Sequence, residues 1–469
     1  MKQPIARQLF KLLALSITLC SCEHAGNSNV ANKSINFPNF GSSDIPKPRE
    51  SADTRNFLES LGVCAHVSRP NTPYENLQAV RQELQYLKIK LIRDDMFSAS
   101  LDKQLKTIQT LAQDGIKFDI IFSPKHVPDP SEFTNYFIKL SPFLKYIEGP
   151  NEVDNVHKKM DFETEAKPIF QQNIDYQRKL YDTVKSLPQL NKIPVLVFTS
   201  VYGHYNENVR SLIENKIYED RRPIADFDNV HSYDLWGEGA QSQRNTPFCC
   251  SHLPNLRTVI TETGYSNITY SDGNNGSKMG VTPEPAAKLL LNSIFFRYRQ
   301  GVHSIFIYEL LDNAPDPDNL DKEKHFGLFD LNNAPKPAAI ALHNLRSILY
   351  ASLTDAPASD NEAASLNLKI TESNNSPEYA YSKHHLLLHS SPKTHFLALW
   401  ADGKVWDFNQ HQPFNLNASN KISIELPTNA NRISIYNPLI GETPISSVAN
   451  TNKIVAETID APILVKIEL

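Results

Sequence analysis

Two glutamates stand where a β-type run gives way to a loop. Glu152 ends Tyr146-Ile147-Glu148-Gly149-Pro150-Asn151-Glu152, and Glu262 ends Thr258-Val259-Ile260-Thr261-Glu262. A carboxylate at the end of a buried run is costly to desolvate unless it has work there. Two carboxylates facing each other across a cleft can break a glycosidic bond. One protonates the leaving oxygen, while the other attacks the anomeric carbon or activates water. A gap of about 5 Å serves a retaining reaction and one of about 6.5–9.5 Å an inverting reaction.

The elements that must position them follow a regular alternation from Leu61 onward. Short β-type runs are read at Gly62–His66, Lys90–Arg93, Phe118–Phe122, Tyr146–Gly149, Pro194–Thr199, Asp228–Tyr233, Thr258–Glu262 and Ser304–Tyr308. Helical periodicity lies between them at Tyr74–Leu87, Leu101–Asp114, Pro168–Ser186 and Pro285–Gln300. This pattern predicts an α/β fold, a (β/α)8 TIM barrel, over residues 56–350. No G-x-G-x-x-G is present, which argues against a dinucleotide-binding sheet. In such a barrel the strand ends share one mouth. The polar residues there are His66, Arg93-Asp94-Asp95, Ser123, Asn151-Glu152, Thr199-Ser200, His231-Ser232-Tyr233, Glu262 and Tyr308-Glu309. Glu152 falls on the fourth strand and Glu262 on the seventh.

This ordered set resembles the large clan of retaining (β/α)8 glycoside hydrolases that carry their acid/base and nucleophile glutamates on strands four and seven. Gly149-Pro150-Asn151-Glu152 is similar to the clan's Asn-Glu motif, and Thr261-Glu262-Thr263-Gly264-Tyr265 to its nucleophile segment. The resemblance implies that Glu152 is the acid/base, that Glu262 is the nucleophile and that Asn151 holds the sugar 2-hydroxyl. His231-Ser232-Tyr233 resembles the strand-six His-x-Tyr, whose tyrosine contacts the nucleophile, and Arg93 sits where the clan often places an arginine beside that carboxylate. Ile307 to Asp312, His325 to Phe329 and Pro335 to Ala338 are similar to the barrel end of bacterial cellulase-like proteins. Tyr308 stands where many members carry a tryptophan beneath the sugar. The implied activity is hydrolysis of β-linked oligo- or polysaccharide with no cofactor.

Physical roles can be assigned beside the resemblance. Arg93 and the Tyr233 hydroxyl, near Glu262, would hold it ionised for attack. Glu152 must start protonated, so burial and a nearby negative charge are expected to raise its pKa. His66 is either a substrate contact or a structural histidine. Arg93 has an alternative role as an ion-pair partner of Asp94 or Asp95. Trp236, just past the strand-six motif, is a candidate platform for stacking on a sugar ring. Glu309 is either a third site carboxylate or a group facing the helical layer. Trp400 and Trp406 read as core. A metal-dependent hydrolase built on His66, His231 and acidic neighbours is disfavoured. The one His-x-x-x-His spacing, His385 and His389, lies on a β-type run, and no metal is expected.

The rest of the chain bounds these readings. With 469 residues, 40% hydrophobic and 21% charged, and a net charge of −5, it reads as globular and offers no basic footprint for nucleic acid. Lys2, Arg7 and Lys11 precede a short apolar stretch that runs into Leu19-Cys20-Ser21-Cys22. That segment resembles a bacterial lipobox, which implies a signal peptide over 1–22 and lipid attachment at Cys22. The protein is therefore expected to be exported and membrane-anchored, facing the periplasm or the cell surface. Residues 23–55, rich in Ser, Asn and Pro, read as a flexible tether. Among Cys64, Cys249 and Cys250 at most one bridge can form. Residues 351–469 contain short β-type runs and are expected to form a C-terminal antiparallel β-sandwich. The expected partner is a carbohydrate and the expected state a monomer. A transglycosylase using the same residues, or a binding lipoprotein without catalysis, are the competing functions.

Overall fold

The computed structural model describes residues 48–96, 101–155, 167–201, 212, 215, 222–233, 252–253, 256–268, 280–353, 366–372, 384–400, 405–408, 410–414, 420–458 and 460–469. The chain divides into Met1–Pro38, which lies outside the described residues, and Asn39–Leu469, to which everything below belongs. The expected signal peptide, Cys22, Trp236, Cys249 and Cys250 are also outside them.

Strand β1 (Ser51–Asp53) and helix α1 (Thr54–Glu59), capped by the Asp53 side chain, open the described chain. The barrel follows as β2 (Leu61–Cys64), α2 (Leu77–Leu87), β3 (Leu91–Asp95), α3 (Leu101–Ala112), β4 (Lys117–Ile121), α4 (Thr134–Leu140), β5 (Leu144–Glu148), α5 (Lys167–Ser186), β6 (Val195–Leu196), β7 (Phe227–His231), β8 (Arg257–Thr263), α6 (Pro283–Arg299), β9 (Ser304–Ile307) and α7 (Pro337–Tyr350). Strands β2 to β9 are all parallel, and β9 closes on β2 with Gly62 opposite Phe306. The predicted eight-stranded barrel forms.

Its strands are hydrophobic on both faces, for different reasons. Val63, Ile92, Ile120, Ile147, Val230, Ile260 and Ile305 join the large apolar cluster shared with Leu84, Leu87, Ile108, Leu111 and Leu180 of the surrounding helices. Residues of the alternate register, Leu91, Tyr146, Leu196, Val259 and Phe306, form a separate cluster with Cys64 inside the barrel. Two residues further along the same strands, and so nearer the mouth, the inward positions become Arg93, Glu148 and Asn229, all buried. The change from oily to charged within one strand face is what creates the site.

After α7 the chain builds β10 (Lys369–Glu372), β11 (His385–Ser391), β12 (Thr394–Leu399), the two-residue pair β13 (Trp406–Asp407) and β14 (Gln412–Pro413), β15 (Asn420–Tyr436), β16 (Ser446–Thr458) and β17 (Ile463–Glu468). The expected antiparallel β-sandwich takes the form of one seven-stranded sheet, ordered β1-β11-β12-β17-β15-β10 with β16 on β15, antiparallel except where β1 joins β11. One face, with Leu386, Leu388, Phe396, Ala398 and Trp400, packs into the barrel's cluster. There Trp400 stacks on Phe295 at 5.8 Å. The other face closes on itself: Leu387, Leu397 and Leu399 meet Ile422, Ile424 and Ile454. The two halves of β15 are joined through an irregularity between Glu425 and Ala430. Trp400 and Trp406 are both buried, as expected of core.

The expected tether ends earlier than residue 55. Ser51–Asp53 pairs in parallel with Leu387–His389, the Thr54 hydroxyl meets that of Ser390 at 2.9 Å, and the Arg49 guanidinium lies 4.3 Å over the Tyr298 ring. The segment is short and polar, and pairing with residues more than 330 positions away leaves no local periodicity to read.

Helix α2 buries Glu83 beside Val80, Leu84 and Leu87, and neither of its oxygens has a hydrogen-bond partner among the described residues. Burial pushes this carboxyl up to about 8. The unfolded chain therefore ionises Glu83 at a lower pH than the folded chain, and stability falls as pH rises toward 8. We expect Glu83→Leu to be more stable than the parent at pH 8 by about 1–3 kcal/mol, with a smaller gain at pH 5. Urea denaturation at the two pH values checks this, and an equal gain at both would contradict it.

Candidate active site

The site is organised around Arg93, which is 4% exposed in the middle of β3. Its Nε and Nη2 donate to Glu148 at 2.6 and 2.8 Å. Its Nη1 donates to Glu262 Oε1 at 2.7 Å, and Nη2 also reaches Asn151 Oδ1 at 2.6 Å. Burial opposes the guanidinium charge, but Glu148 and Glu262 outweigh it and raise the pKa well above its ordinary value. Asp94 and Asp95, the alternative partners read from sequence, are engaged elsewhere. Asp94 accepts from the Ser68 amide and hydroxyl, and Asp95 pairs with Arg69 at 2.6 Å.

Glu262 is buried near the end of β8. Its second oxygen accepts from the Tyr233 hydroxyl at 2.8 Å and lies 3.4 Å from His231 Nδ1. Burial, followed by the Glu262 charge, pushes the Tyr233 phenol well above its usual range, so it stays a donor. Glu152 follows β5 by a different route. Gly149 lets the chain pass under α5, since a Cβ there would stand 1.8 Å from Gln177 Oε1. Pro150 and Asn151 then lead to Glu152 at φ +44°, pinned by its own amide to Thr199 Oγ1 at 2.8 Å. Its carboxylate takes His231 Nδ1 at 2.9 Å and Asn155 Nδ2 at 2.7 Å.

His231 therefore bridges the two glutamates. One carboxylate oxygen from each, together with a His231 nitrogen, lie within 4.8 Å of one another. Burial opposes charge on His231, but Glu262 and Glu152 outweigh it and raise its pKa. The expectation for Glu152 needs correction here. Burial does push its carboxyl up, but the His231 hydrogen bond and charge, with Asn155 and Arg93, carry the net direction down. The free protein holds Glu152 toward its ionised form because its closest neighbour is a donor rather than an anion.

Each sequence candidate can now be placed. Arg93, Asn151, Glu152, His231, Tyr233 and Glu262 form one connected group. Tyr308 lies at its rim, its ring 5.4 Å from Phe326, which in turn sits 5.9 Å from Tyr233. His66 is buried 6.0 Å from the Tyr308 ring, its Nε2 lying 3.3 Å from Glu309 Oε2. Burial brings it down to about 3, so it is neutral. Glu309 is fully buried rather than facing the cleft between the two glutamates; it accepts from the Tyr74 hydroxyl at 3.0 Å, and burial lifts it to about 8. Cys64 is a free buried thiol inside the barrel.

Glu148, Asn229 and Asp119 were not singled out from the sequence. The signal was the strand period: Tyr146 and Glu148 share one face of β5, and that face points inward. Asp119 is fully buried, and burial followed by the Glu148 charge pushes it well above the carboxylate range. Among the described residues, two groups have donor spacing a cation could use, Glu152–His231–Glu262 and His66–Asp94–Asp95. In the first, both Glu262 oxygens already accept from Arg93 and Tyr233. In the second, Ser68 and Arg69 occupy the carboxylates.

No protein-family model matches the chain. No curated protein matches it either. Solved structures with similar folds include a GH53 catalytic domain from Ignisphaera aggregans, with TM-score 0.45 and 14% identity over 63% of this chain and 98% of that one. A β-porphyranase of glycoside hydrolase family 86 from Bacteroides plebeius has TM-score 0.48 and 11% identity, covering 91% of this chain and 76% of that one. A β-glucuronidase from Ruminococcus gnavus has TM-score 0.39 and 12% identity over 61% of this chain; only 50% of that protein's length is spanned.

Replacing His231 with Phe removes the donor that holds Glu152 down while leaving its burial in place. The Glu152 carboxyl is then expected to titrate at higher pH than in the parent. Carboxyl carbon NMR on glutamate-labelled protein measures this, and an unmoved or lowered midpoint would contradict the assignment.

Proposed function

We propose that the chain is a retaining glycosidase acting on β-linked glycans, with Glu262 as nucleophile and Glu152 as acid/base. The observation that carries this reading is the facing pair itself. One carboxylate oxygen of Glu152 and one of Glu262 lie within 4.8 Å of each other, with His231 between them, which favours the closely set pair that direct attack requires, about 5 Å between carboxyl groups. The two ends of the pair are dressed differently. Glu262 is fixed by Arg93 and Tyr233, which suits an anion that must keep its aim. Glu152 is fixed by His231 and Asn155, and its side chain keeps more exposure, 23% against 11%.

In the first step a Glu262 oxygen bonds to the anomeric carbon as Glu152 protonates the departing glycosidic oxygen. In the second, Glu152 takes a proton from water, whose oxygen displaces Glu262 from the sugar. His231, 2.9 Å from Glu152 and held proton-rich by both carboxylates, keeps a proton beside the acid. A sugar ring covering Glu152 strengthens its desolvation, the one influence that already pushes its carboxyl up. Asn151, tied to Arg93, and Tyr308 at the rim are the proposed sugar contacts. Trp236, outside the described residues, keeps its proposed stacking role.

On a panel of β-linked glycans, Glu152→Ala and Glu262→Ala are each expected to lose about 10²–10⁴-fold in kcat on natural substrates. Proton NMR of the first product should show retained anomeric configuration. Turnover undiminished in both variants would refute the site, and an inverted first product would refute the mechanism. A sugar-binding protein without catalysis would show no wild-type turnover at all.

From Leu19-Cys20-Ser21-Cys22 we further propose export and lipid attachment at Cys22. Expressed in full in a bacterium, the protein should take up a fatty-acid label and sediment with membranes, and Cys22→Ser should abolish both.

A further inference from the structure

The guanidinium of Arg93 is planar, so fixing one edge fixes the direction of every other N–H. Glu148 occupies the Nε–Nη2 edge with both oxygens, at 2.6 and 2.8 Å, from the side away from the mouth. It is fully buried. Its Oε1 also accepts from Asn229 Nδ2 at 3.0 Å. Asn229 is oriented in turn by donating to Val197 O at 3.0 Å and accepting from Thr261 Oγ1 at 2.6 Å. Strands β5, β7 and β8 thus converge on one carboxylate. What remains of the guanidinium aims at Glu262 through Nη1 and at Asn151 through Nη2.

We propose that Glu148 is a positioning residue for the nucleophile, setting through Arg93 both the aim and the effective charge of Glu262. The proposal rests on the reading of Glu262 as nucleophile. Glu148 touches no substrate. It acts in two ways, by orienting the fork and by sharing the Arg93 charge that would otherwise fall on Glu262 alone. Burial and then the Glu148 charge push the Asp119 carboxyl well above the carboxylate range, so it competes only weakly for the guanidinium. The other groups facing Glu262 are His231 from β7, Tyr233 just after it, Cys64 from β2, Tyr308 after β9, Glu152, and Glu323 at longer range.

Glu148→Gln keeps the shape and removes the charge. Arg93 then loses its nearest anion, so a larger share of its charge falls on Glu262, which stabilises that carboxylate and weakens it as an attacking group. The expected result is a kcat lower by about 10²-fold with KM within about threefold, the size of effect a misplaced reacting group produces. The acidic limb of kcat/KM should also move to lower pH. Glu148→Asp keeps the charge on a shorter stem; it should lower kcat while leaving the acidic limb at the parent's position. Both variants are compared with wild type on one substrate, with urea midpoints measured in parallel and Glu262→Ala as reference. Unchanged kcat in a folded Glu148→Gln, beside an inactive Glu262→Ala, overturns this proposal and leaves the nucleophile assignment standing. Lowered stability in both variants with an unmoved acidic limb makes Glu148 merely structural, which also overturns it. An active Glu262→Ala instead refutes the functional reading beneath.

Discussion

A guanidinium enclosed in a barrel is the constraint from which the rest of the site follows. Taking an isolated cation out of water costs several kcal/mol even after relaxation, and only well-placed anions offset it. Arg93 meets this with Glu148 behind it and Glu262 in front. Neither carboxylate is stable there without the cation, and the cation is not stable without them. The carboxylate that chemistry needs is thus paired and aimed by the same balance that makes the interior tolerable. A loop-borne carboxylate in open water would have neither the aim nor the dryness.

The parallel barrel makes such a balance affordable. The lower inward layer, Leu91, Tyr146, Leu196, Val259 and Phe306, closes the floor with apolar side chains. Only the layer nearest the mouth is charged, and each charge there rests on a strand rather than a loop. Glu152 is the exception. It follows β5 on a short left-handed step and is held by Thr199 and His231, so it has more freedom than its partner. A group that gives and takes a proton on moving oxygens tolerates that freedom better than one that must attack a carbon.

Most of this was legible in the sequence where local periodicity carries the information. The barrel strands, the two glutamates, and Arg93, His231 and Tyr233 could be read from β-type runs and the polar residues ending them. The direction of the Glu152 shift could not, because it depends on His231 pointing Nδ1 at Glu152 across the mouth, a fact of three-dimensional placement. Glu148 was overlooked although the alternation with Tyr146 contained it; the Asn151-Glu152 pair just beyond concealed the residue that ends the strand. In the C-terminal layer β16 escaped notice, because much of Ser446–Thr458 is exposed and small and shows no hydrophobic alternation.

The pairing of Ser51–Asp53 with Leu387–His389 has a consequence for how the molecule is made. The first strand of the described chain finds its neighbour only after the entire barrel has been synthesised. Until then α1 can settle on the barrel, but the strand before it has no sheet to join. The terminal layer is therefore threaded rather than appended, with the barrel lying between two strands of one sheet. Closing a loop of that length carries an entropic cost that grows only slowly with its size, but contacts of such long range form late. A chain cut after the barrel would lose the partner of its own beginning, so the two lobes are best regarded as one folding unit joined at both ends.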